Sequence, residues 1–530
     1  MNDRFHFQDG EKMKKKVQPK MVYVILFLLT VFLVYGWRLG TGRVIHSDEL
    51  SVIFAGQDMF SGDPFLKGWH LTTGVFLLPT IELACAVYTF GYSETLVYMV
   101  AGINYALMVF SGVWIVFLYA RKWTVKKAYV YSIVVFLILL IPRSVTLLNA
   151  GTHVLSYAAA ILAIFFTYYL SGIVTGVWVK AGWTFVLGLL SVTNSMFLYT
   201  ACIPILLVGI VVSYENKKKH RLSGLLYYGV SSVILYAVFQ KLWIGIRGEK
   251  LGAIDTVFAS REDIWNQVVM GTCNILEIFG INFWEEKVFS VSTCRAGVGF
   301  VILLKLAYEI VQYIKQKEKR DREIVYLFLA VAAVNITAYV FSTVPAYSPD
   351  VNLIQPFLLG FTLAGILAWM HNEKEKKEKE EIKCNIVVVC SFLLFLLMFP
   401  AFTVRQPDNM GRRQAAEYLK DHGYQKGFAS YWDAASVMYA SKGELEIEPV
   451  ICHNIVEVTE DTKLVAYRWM TKKEWEQQEG NFLIADSESD MQYAINENTI
   501  LQTFGQYEEK KQFGDITVYL WNENKKLPGY

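Results

Sequence analysis

Long apolar runs, separated by short charged segments, dominate this sequence of 530 residues. The first run reads MVYVILFLLTVFLVYGW, and similar runs recur up to position 403. A helix of roughly 20 apolar residues crosses the hydrocarbon core of a bilayer. Hydrophobic residues make up 54% of the chain, and the mean hydropathy is +0.33. The sequence therefore predicts an all-α polytopic membrane domain.

The distribution of charge orients this domain and excludes one class of partner. Lys14, Lys15, Lys16 and Lys20 precede the first run, which places the N-terminus in the cytoplasm. The run is too long for the apolar region of a signal peptide, so we interpret it as a retained helix. The net charge is only +2, and Lys and Arg cluster between apolar runs. This pattern reports membrane topology and excludes nucleic acid as a partner.

The positive-inside rule also fixes the register of the later spans. If the apolar segment 71–90 crossed the membrane, the basic segment RKWTVKK would lie outside. We therefore interpret 71–90 as an interfacial helix interrupted by Pro79. The protein is expected in the plasma membrane as a multi-pass protein with about eleven spans and an external C-terminus. The predicted spans are 21–37, 95–120, 128–142, 153–172, 181–193, 196–213, 223–243, 296–314, 324–342, 351–370 and 385–403.

The composition changes to that of a soluble domain after position 403. Residues 1–403 form the predicted transmembrane domain, with a first external loop at 38–94, and 404–530 form a small extracytoplasmic α/β domain. GRRQAAEYLKDHG and MTKKEWEQQ are predicted helices, and Gly423 is a predicted C-terminal helix cap. The predicted strands are FASYW, ELEIEPV, KLVAYRW, NFLIA and DITVYLW.

Acidic residues cluster in the first external loop. Asp48 and Glu49 stand about ten positions beyond the first span, and Asp63, His70 and Glu82 follow in the same loop. A carboxylate near the membrane surface is costly unless it is solvated, paired or bound to a metal. The cluster therefore indicates chemistry at the outer surface, while a merely solvated acidic loop is the alternative.

The order of features over the first hundred residues resembles the GT-C superfamily of membrane glycosyltransferases. A basic N-terminus and a helix are followed by Asp48-Glu49, the turn Gly62-Asp63-Pro64, an apolar interfacial helix and the segment FGYS. The resemblance is to the branch of protein O-mannosyltransferases and bacterial aminoarabinose transferases. It implies two juxtamembrane helices in the first loop. Departures also occur, since only Leu77-Leu78-Pro79 stands where the branch often has Pro-Pro-Leu.

The resemblance implies an inverting transfer of a sugar from a polyprenyl-phosphate donor to a cell-envelope glycan, lipid or protein. Asp48 would be the general base that accepts the proton of the acceptor hydroxyl, and Glu49 would support it. Asp63, His70 and Glu82 would contact the acceptor. A divalent metal remains an open alternative, with Asp48 and Glu82 as candidate ligands, because hard cations prefer carboxylate oxygens.

A lipid-phosphate leaving group also needs cationic or hydrogen-bonding partners on the outer face. Arg143 is the preferred residue, because Asn149 and His153 lie close to it in the sequence. The predicted loop at 244–295 supplies three further candidates, which are Arg247, Lys250 and Arg261.

Two other functional classes fit a chain of this kind. A transporter or flippase of envelope lipids and glycans would have a similar number of spans, with ionisable residues near the bilayer midplane. Lys305 and Glu309 are such residues in one predicted span. A non-catalytic scaffold with the same fold is the second alternative. Sugar, acceptor and carrier length are not encoded in any local pattern of this sequence.

Overall fold

A computed structural model gives the structure of most of the chain. The described residues are 19–40, 45, 47–71, 74–120, 125–139, 151–173, 176–215, 224–248, 257–281, 287–316, 322–343, 354–375, 410–452, 462–486 and 495–528. The predicted span at 385–403 lies outside the described residues.

Helices account for most of the described structure. In chain order they are α1 (Pro19–Gly40), α2 (Ser47–Phe60), α3 (Leu77–Phe90), α4 (Glu94–Ala120), α5 (Val125–Leu139), α6 (Gly151–Gly172), α7 (Val177–Thr193), α8 (Ser195–Glu215), α9 (Gly224–Arg247), α10 (Arg261–Ile278), α11 (Val291–Lys315), α12 (Arg322–Phe341), α13 (Gln355–Glu375), α14 (Met410–Asp421), α15 (Tyr431–Ala440) and α16 (Glu497–Phe504). The strands are β1 (Trp69–His70), β2 (Lys426–Ser430), β3 (Glu446–Cys452), β4 (Leu464–Ala466), β5 (Thr471–Lys472), β6 (Glu479–Asp486), β7 (Glu509–Phe513) and β8 (Ile516–Lys526).

The chain divides by its contacts into two compact units. The helical unit comprises Met1–Trp37, Ala101–Gln240 and Thr256–Thr403. The α/β unit comprises Arg38–Val100, Lys241–Asp255 and Val404–Tyr530. Each unit combines several separate segments of the sequence, whereas the predicted domains are continuous. The predicted domain boundary between residues 403 and 404 therefore stays a prediction.

Long apolar helices give the chain its membrane-spanning character. Among the described residues, five helices are long and apolar enough to cross a bilayer: Glu94–Ala120, Val154–Gly172, Ser195–Glu215, Gly224–Arg247 and Arg322–Phe341. Shorter apolar helices accompany them. The chain is thus a multi-pass membrane protein, as the apolar runs predict, while the exact number of spans and their orientation stay predictions.

Helices α2 and α3, which lie in the segment 38–94, pack against each other in the α/β unit. Gly56 allows this contact, because a Cβ atom at that position would lie 2.5 Å from the Cβ of Ala84 and 2.6 Å from the carbonyl oxygen of Thr80. The predicted interfacial helix starts at Leu77, later than expected. Pro79 lies in its first turn, where no intrahelical N–H bond is lost, so it does not interrupt the helix.

A six-stranded mixed sheet in the order β4-β3-β2-β6-β8-β7 forms the rest of the α/β unit. Strand β2 pairs in parallel with β3 on one side and with β6 on the other, while the outer pairs are antiparallel. After β2 the chain runs through α15 to β3 on one side, whereas after β6 it runs through α16 to β7 and β8 on the other side. The connections therefore diverge between β2 and β6. Ligands of open α/β sheets bind outside the carboxyl ends of strands at such points.

The predicted elements of this unit are only partly correct. Gly423 ends α14 in a left-handed conformation with φ of 78°, and the N–H of Tyr424 reaches the carbonyl of Leu419, which confirms the predicted cap. The predicted strand FASYW ends at Ser430, because the Ser430 hydroxyl caps α15 through the N–H of Asp433. The predicted helix MTKKEWEQQ contains β5 and a short 3-10 helix instead.

Candidate functional site

Helix α2 presents the Asp48-Glu49 pair in its first turn and packs against α15. The Ser47 hydroxyl donates to the carbonyl of Tyr431 and accepts the N–H of Ala435 at 3.2 Å. The Ser436 hydroxyl donates to the carbonyl of Ile45 at 2.6 Å. These bonds hold the start of α2 against the carboxyl end of β2.

Asp48 is bound by a tyrosine of α15. The Tyr431 hydroxyl donates to Asp48 Oδ1 at 2.6 Å. Tyr431 is only 4% exposed, and burial, followed by the nearby Asp48 carboxylate, raises the pKa of its hydroxyl well above the ordinary value. Tyr431 therefore stays protonated and remains a hydrogen-bond donor at physiological pH. A donor on a carboxylate both orients it and favours its ionised form.

Glu49 is placed differently from Asp48. Its side chain is 3% exposed, whereas Asp48 is half-buried. Successive helical residues point about 100° apart, so one member of the pair faces the interior of the unit while the other lies nearer its surface. The supporting role of Glu49 stays a prediction.

Asp63 organises the loop between α2 and β1. Its Oδ1 accepts the N–H of Lys67 and its Oδ2 accepts the N–H of Gly68, both at 2.8 Å. These bonds close the turn of the Gly-Asp-Pro segment, in the manner of other turn-forming aspartates. The contacts are those of a loop-shaping residue, and acceptor binding by Asp63 stays a prediction.

Arg247 binds the same loop from the end of α9. Its Nη1 donates to the carbonyls of Phe65 at 3.0 Å and Leu66 at 2.5 Å, and its Nη2 donates to the carbonyl of Trp69 at 2.6 Å. The residue is 7% exposed. Arg247 therefore supports the backbone of the first external loop in this structure, and its predicted contact with a lipid phosphate stays a prediction.

An ion pair and a His–Glu contact join the segment 58–70 to the segment around β5. Lys472 contacts Asp58 Oδ2 at 2.9 Å, and the Trp69 indole N–H donates to the same carboxylate oxygen at 2.8 Å. His70 Nε2 lies 2.7 Å from Glu476 Oε1. Strands β1 and β5 pair between these contacts. The predicted residue His70 thus lies beside the C-terminal part of the chain.

Two of the remaining predicted residues lie on described helices. Glu82 lies half-buried on α3, and Arg261 is an exposed first residue of α10 in the helical unit. Arg143, Asn149, Lys250 and the side chain of His153 lie outside the described residues. Within the described part of the chain, no group of three or more His, Cys, Asp or Glu side chains is arranged to hold a metal. Metal binding by Asp48 and Glu82 therefore stays a prediction.

Comparison with solved structures places this arrangement on a known architecture. The chain is similar to ArnT from Cupriavidus metallidurans bound to undecaprenyl phosphate, with a TM-score of 0.51 and 11% sequence identity over 94% of this chain and 98% of that chain. The chain has an ArnT-like fold. The apo state of the same ArnT gives a TM-score of 0.41 at 10% identity, with the same coverage of 94% and 98%. Neither a protein-family model nor a curated protein sequence matches the chain.

The likeness to ArnT confirms the resemblance stated from the first hundred residues, at the level of the fold. It also extends that resemblance over nearly the whole chain, including the C-terminal sheet. Function and site residues do not follow from a fold shared at 11% identity.

No functional motif in the sequence includes Tyr431, which is part of the site on this ArnT-like fold. Its segment, FASYW, is predicted as a strand. The one local signal for a helix here is Ser430, because serine is a common N-terminal helix cap.

Proposed function

We propose that this protein is a membrane glycosyltransferase that moves a sugar from a polyprenyl-phosphate donor to a cell-envelope acceptor on the outer face of the membrane. The observation that carries the proposal is the hydrogen bond from Tyr431 to Asp48, on an ArnT-like fold. The related ArnT structure contains undecaprenyl phosphate, which supports a lipid-linked donor here. The acceptor is proposed only as a hydroxyl-bearing component of the envelope.

The proposed chemistry needs one carboxylate base. The acceptor oxygen attacks the anomeric carbon while the bond from that carbon to the phosphate oxygen breaks, and Asp48 takes the hydroxyl proton. The electron pair of the broken bond leaves on the polyprenyl phosphate. A phosphate is a good leaving group, so the second acidic residue that glycoside hydrolases require is unnecessary. A single displacement inverts the anomeric configuration.

Tyr431 would act as a positioning residue in this scheme. Its hydroxyl donates to the Asp48 carboxylate and limits the rotation of that carboxylate. Fixing a base before the acceptor arrives lowers the entropic cost of reaching the transition state. The C-terminal part of the chain would thereby take part in the reaction without contacting the reacting atoms.

The leaving phosphate would be bound by residues of the outer face. Arg143, with Asn149 and His153, remains the proposed set, together with Lys250 and Arg261. Arg247 would contribute indirectly, because both of its terminal nitrogens already bind carbonyls of the 61–70 loop.

The transport alternative has weaker support. Lys305 and Glu309 form an ion pair one turn apart on α11, and the Asn372 amide donates to the Glu309 carbonyl at 3.0 Å. Ionisable residues that are paired within one helix and braced by a neighbouring amide have the contacts of a structural pair. A substrate pathway would require such groups to change partners.

The decisive experiment is genetic complementation with a chemical readout. Envelope glycans and lipids of a deletion strain are compared by mass spectrometry with those of strains that express wild type, Asp48→Asn or the control Asp421→Asn. We expect the deletion to lose a sugar from one envelope component. Wild type should restore it, and Asp48→Asn should not. The matched control is Asp421→Asn, at an exposed position at the end of α14, which should restore it as wild type does. Full restoration by Asp48→Asn would remove the proposed mechanism.

A further inference from the structure

Glu448 is a buried carboxylic acid without a hydrogen-bond partner. It lies in the middle of β3, is 2% exposed, and neither of its carboxyl oxygens has a partner among the described residues. An unsatisfied polar group of this kind costs several kcal/mol of transfer free energy. Such groups are rare in folded proteins and call for an explanation.

The carboxyl group of Glu448 lines a cleft with both aromatic and charged walls. The space between its lining residues is about 170 Å³, which includes space open to solvent. The aromatic and charged residues of this lining are Tyr467, Arg468, Lys472, Trp475 and Glu476. The cleft therefore combines aromatic surface with hydrogen-bond donors and acceptors of both charges.

The charges around the cleft restrict its ligand. A cation would be repelled by Arg468 and Lys472, and an anion would be repelled by Glu476. The rim charges are largely balanced by pairing, since Arg468 contacts Glu476 and Lys472 contacts Asp58. The paired charges leave little net charge in the cleft, which favours a neutral ligand.

Neutral ligands with several hydroxyl groups match the remaining chemistry. Hydroxyl groups can donate to the carboxyl oxygens of Glu448 and accept from Lys472 or Arg468. The faces of Tyr467 and Trp475 offer apolar surface to the C–H face of a sugar ring. Burial, and secondarily the Glu476 carboxylate, raises the pKa of Glu448 to about 8. The empty cleft thus holds a neutral acid that can both donate and accept.

We propose that this cleft is a binding subsite for a neutral saccharide unit. Tyr467 links it to the proposed reaction site, since its ring centroid lies 5.1 Å from that of Tyr431, the partner of Asp48. The saccharide is assigned to the acceptor, and this assignment rests on the proposed function. The binding itself does not depend on it.

Entry of the ligand requires movement of the rim. The gaps in the cleft are too narrow for a water molecule in this structure. Arg468 and Lys472 both line the cleft, and their side chains are 53% and 23% exposed. Both are long side chains held by ion pairs near the surface. Such pairs are worth at most about 1 kcal/mol, so a ligand can displace them.

The test measures saccharide binding to the full chain. The protein is placed in nanodiscs without sugar-based detergent, and saturation-transfer NMR is recorded with neutral methyl glycosides of glucose, galactose and mannose. Glu448→Ala and Glu448→Gln are compared with Glu446→Gln. Glu446 lies in the same strand, but it is exposed and paired with Lys426 at 2.6 Å. We expect wild type and Glu446→Gln to bind at least one glycoside, and both Glu448 variants to bind it about tenfold more weakly.

Two results would overturn the subsite. One is the absence of saturation transfer to every glycoside in wild type, and the other is equal binding by the Glu448 variants. Failure of the proposed function is seen separately, as unchanged envelope glycans in the deletion strain. Glycoside binding that is lost in the Glu448 variants would then still establish the subsite.

Discussion

The Tyr431 hydroxyl donates a 2.6 Å hydrogen bond to Asp48 Oδ1 across 383 positions of sequence. The bond joins the first turn of α2 to the first residue of α15. A buried tyrosine on a half-buried carboxylate fixes the geometry of that carboxylate, and this relationship yields the first prediction.

Tyr431→Phe should lower the rate of sugar transfer roughly tenfold or more, since a hydrogen bond to a charged group contributes about 1.5–3 kcal/mol. The loss should appear in kcat with little change in KM, because Tyr431 positions the base and does not contact the acceptor. Tyr439→Phe is the matched control. It lies on the same helix, but its hydroxyl donates to the Ser93 carbonyl at 3.0 Å. Equal kcat values for the two variants would show that Tyr431 has no positioning role.

Arg412→Met should destabilise the α/β unit by about 3–5 kcal/mol, because it leaves two buried carboxylates without their cation. Arg412 donates to Asp433 Oδ1 at 2.6 Å and to Asp486 Oδ2 at 2.5 Å. The adjacent Arg413 pairs with Glu94, is 58% exposed and serves as the control, so Arg413→Met should cost at most about 1 kcal/mol. Hydrogen exchange of the β2 and β6 amides measures both effects. Similar exchange in the two variants would contradict the prediction.

Glu448→Gln should stabilise the ligand-free protein increasingly as pH rises from about 4.5 to about 8, the ordinary and raised pKa values of Glu448. In this window the unfolded chain has released the proton and the folded chain still holds it. Wild type therefore loses stability with rising pH, by up to about 1.4 kcal/mol for each pH unit. Thermal unfolding at pH 5 and pH 8 measures the difference, with Glu446→Gln as the exposed control. A constant difference between wild type and Glu448→Gln at the two pH values would refute the raised pKa.

Arg247→Lys should loosen the loop at 61–70, because a single ammonium nitrogen cannot reproduce donation from two guanidinium nitrogens to three carbonyls. We expect faster hydrogen exchange of the Trp69 amide and lower transfer activity. Lys241→Arg, at an exposed position of the same helix, should change neither. Unaltered exchange in Arg247→Lys would mean that Asp63 holds the loop without help.

Local patterns in the sequence were sufficient for much of the fold. Apolar length predicts membrane helices because the bilayer imposes a fixed thickness, and a glycine after an amphipathic run predicts the cap at Gly423. The Asp-Glu pair, the Gly-Asp-Pro turn and the following helix were likewise visible as short motifs. Boundaries failed where a side chain competed with local propensity, as at Ser430, whose capping of α15 ends the strand.

By itself the sequence determined that this chain is a multi-pass membrane protein with a C-terminal α/β region and an acidic first loop. The tertiary structure alone decided that Asp48 meets Tyr431, that Arg247 supports the loop at 61–70, and that Glu448 is buried. The physical reason is the range of the interactions. Hydropathy and capping act over a few residues, whereas a hydrogen bond between positions 383 apart depends on how whole elements pack.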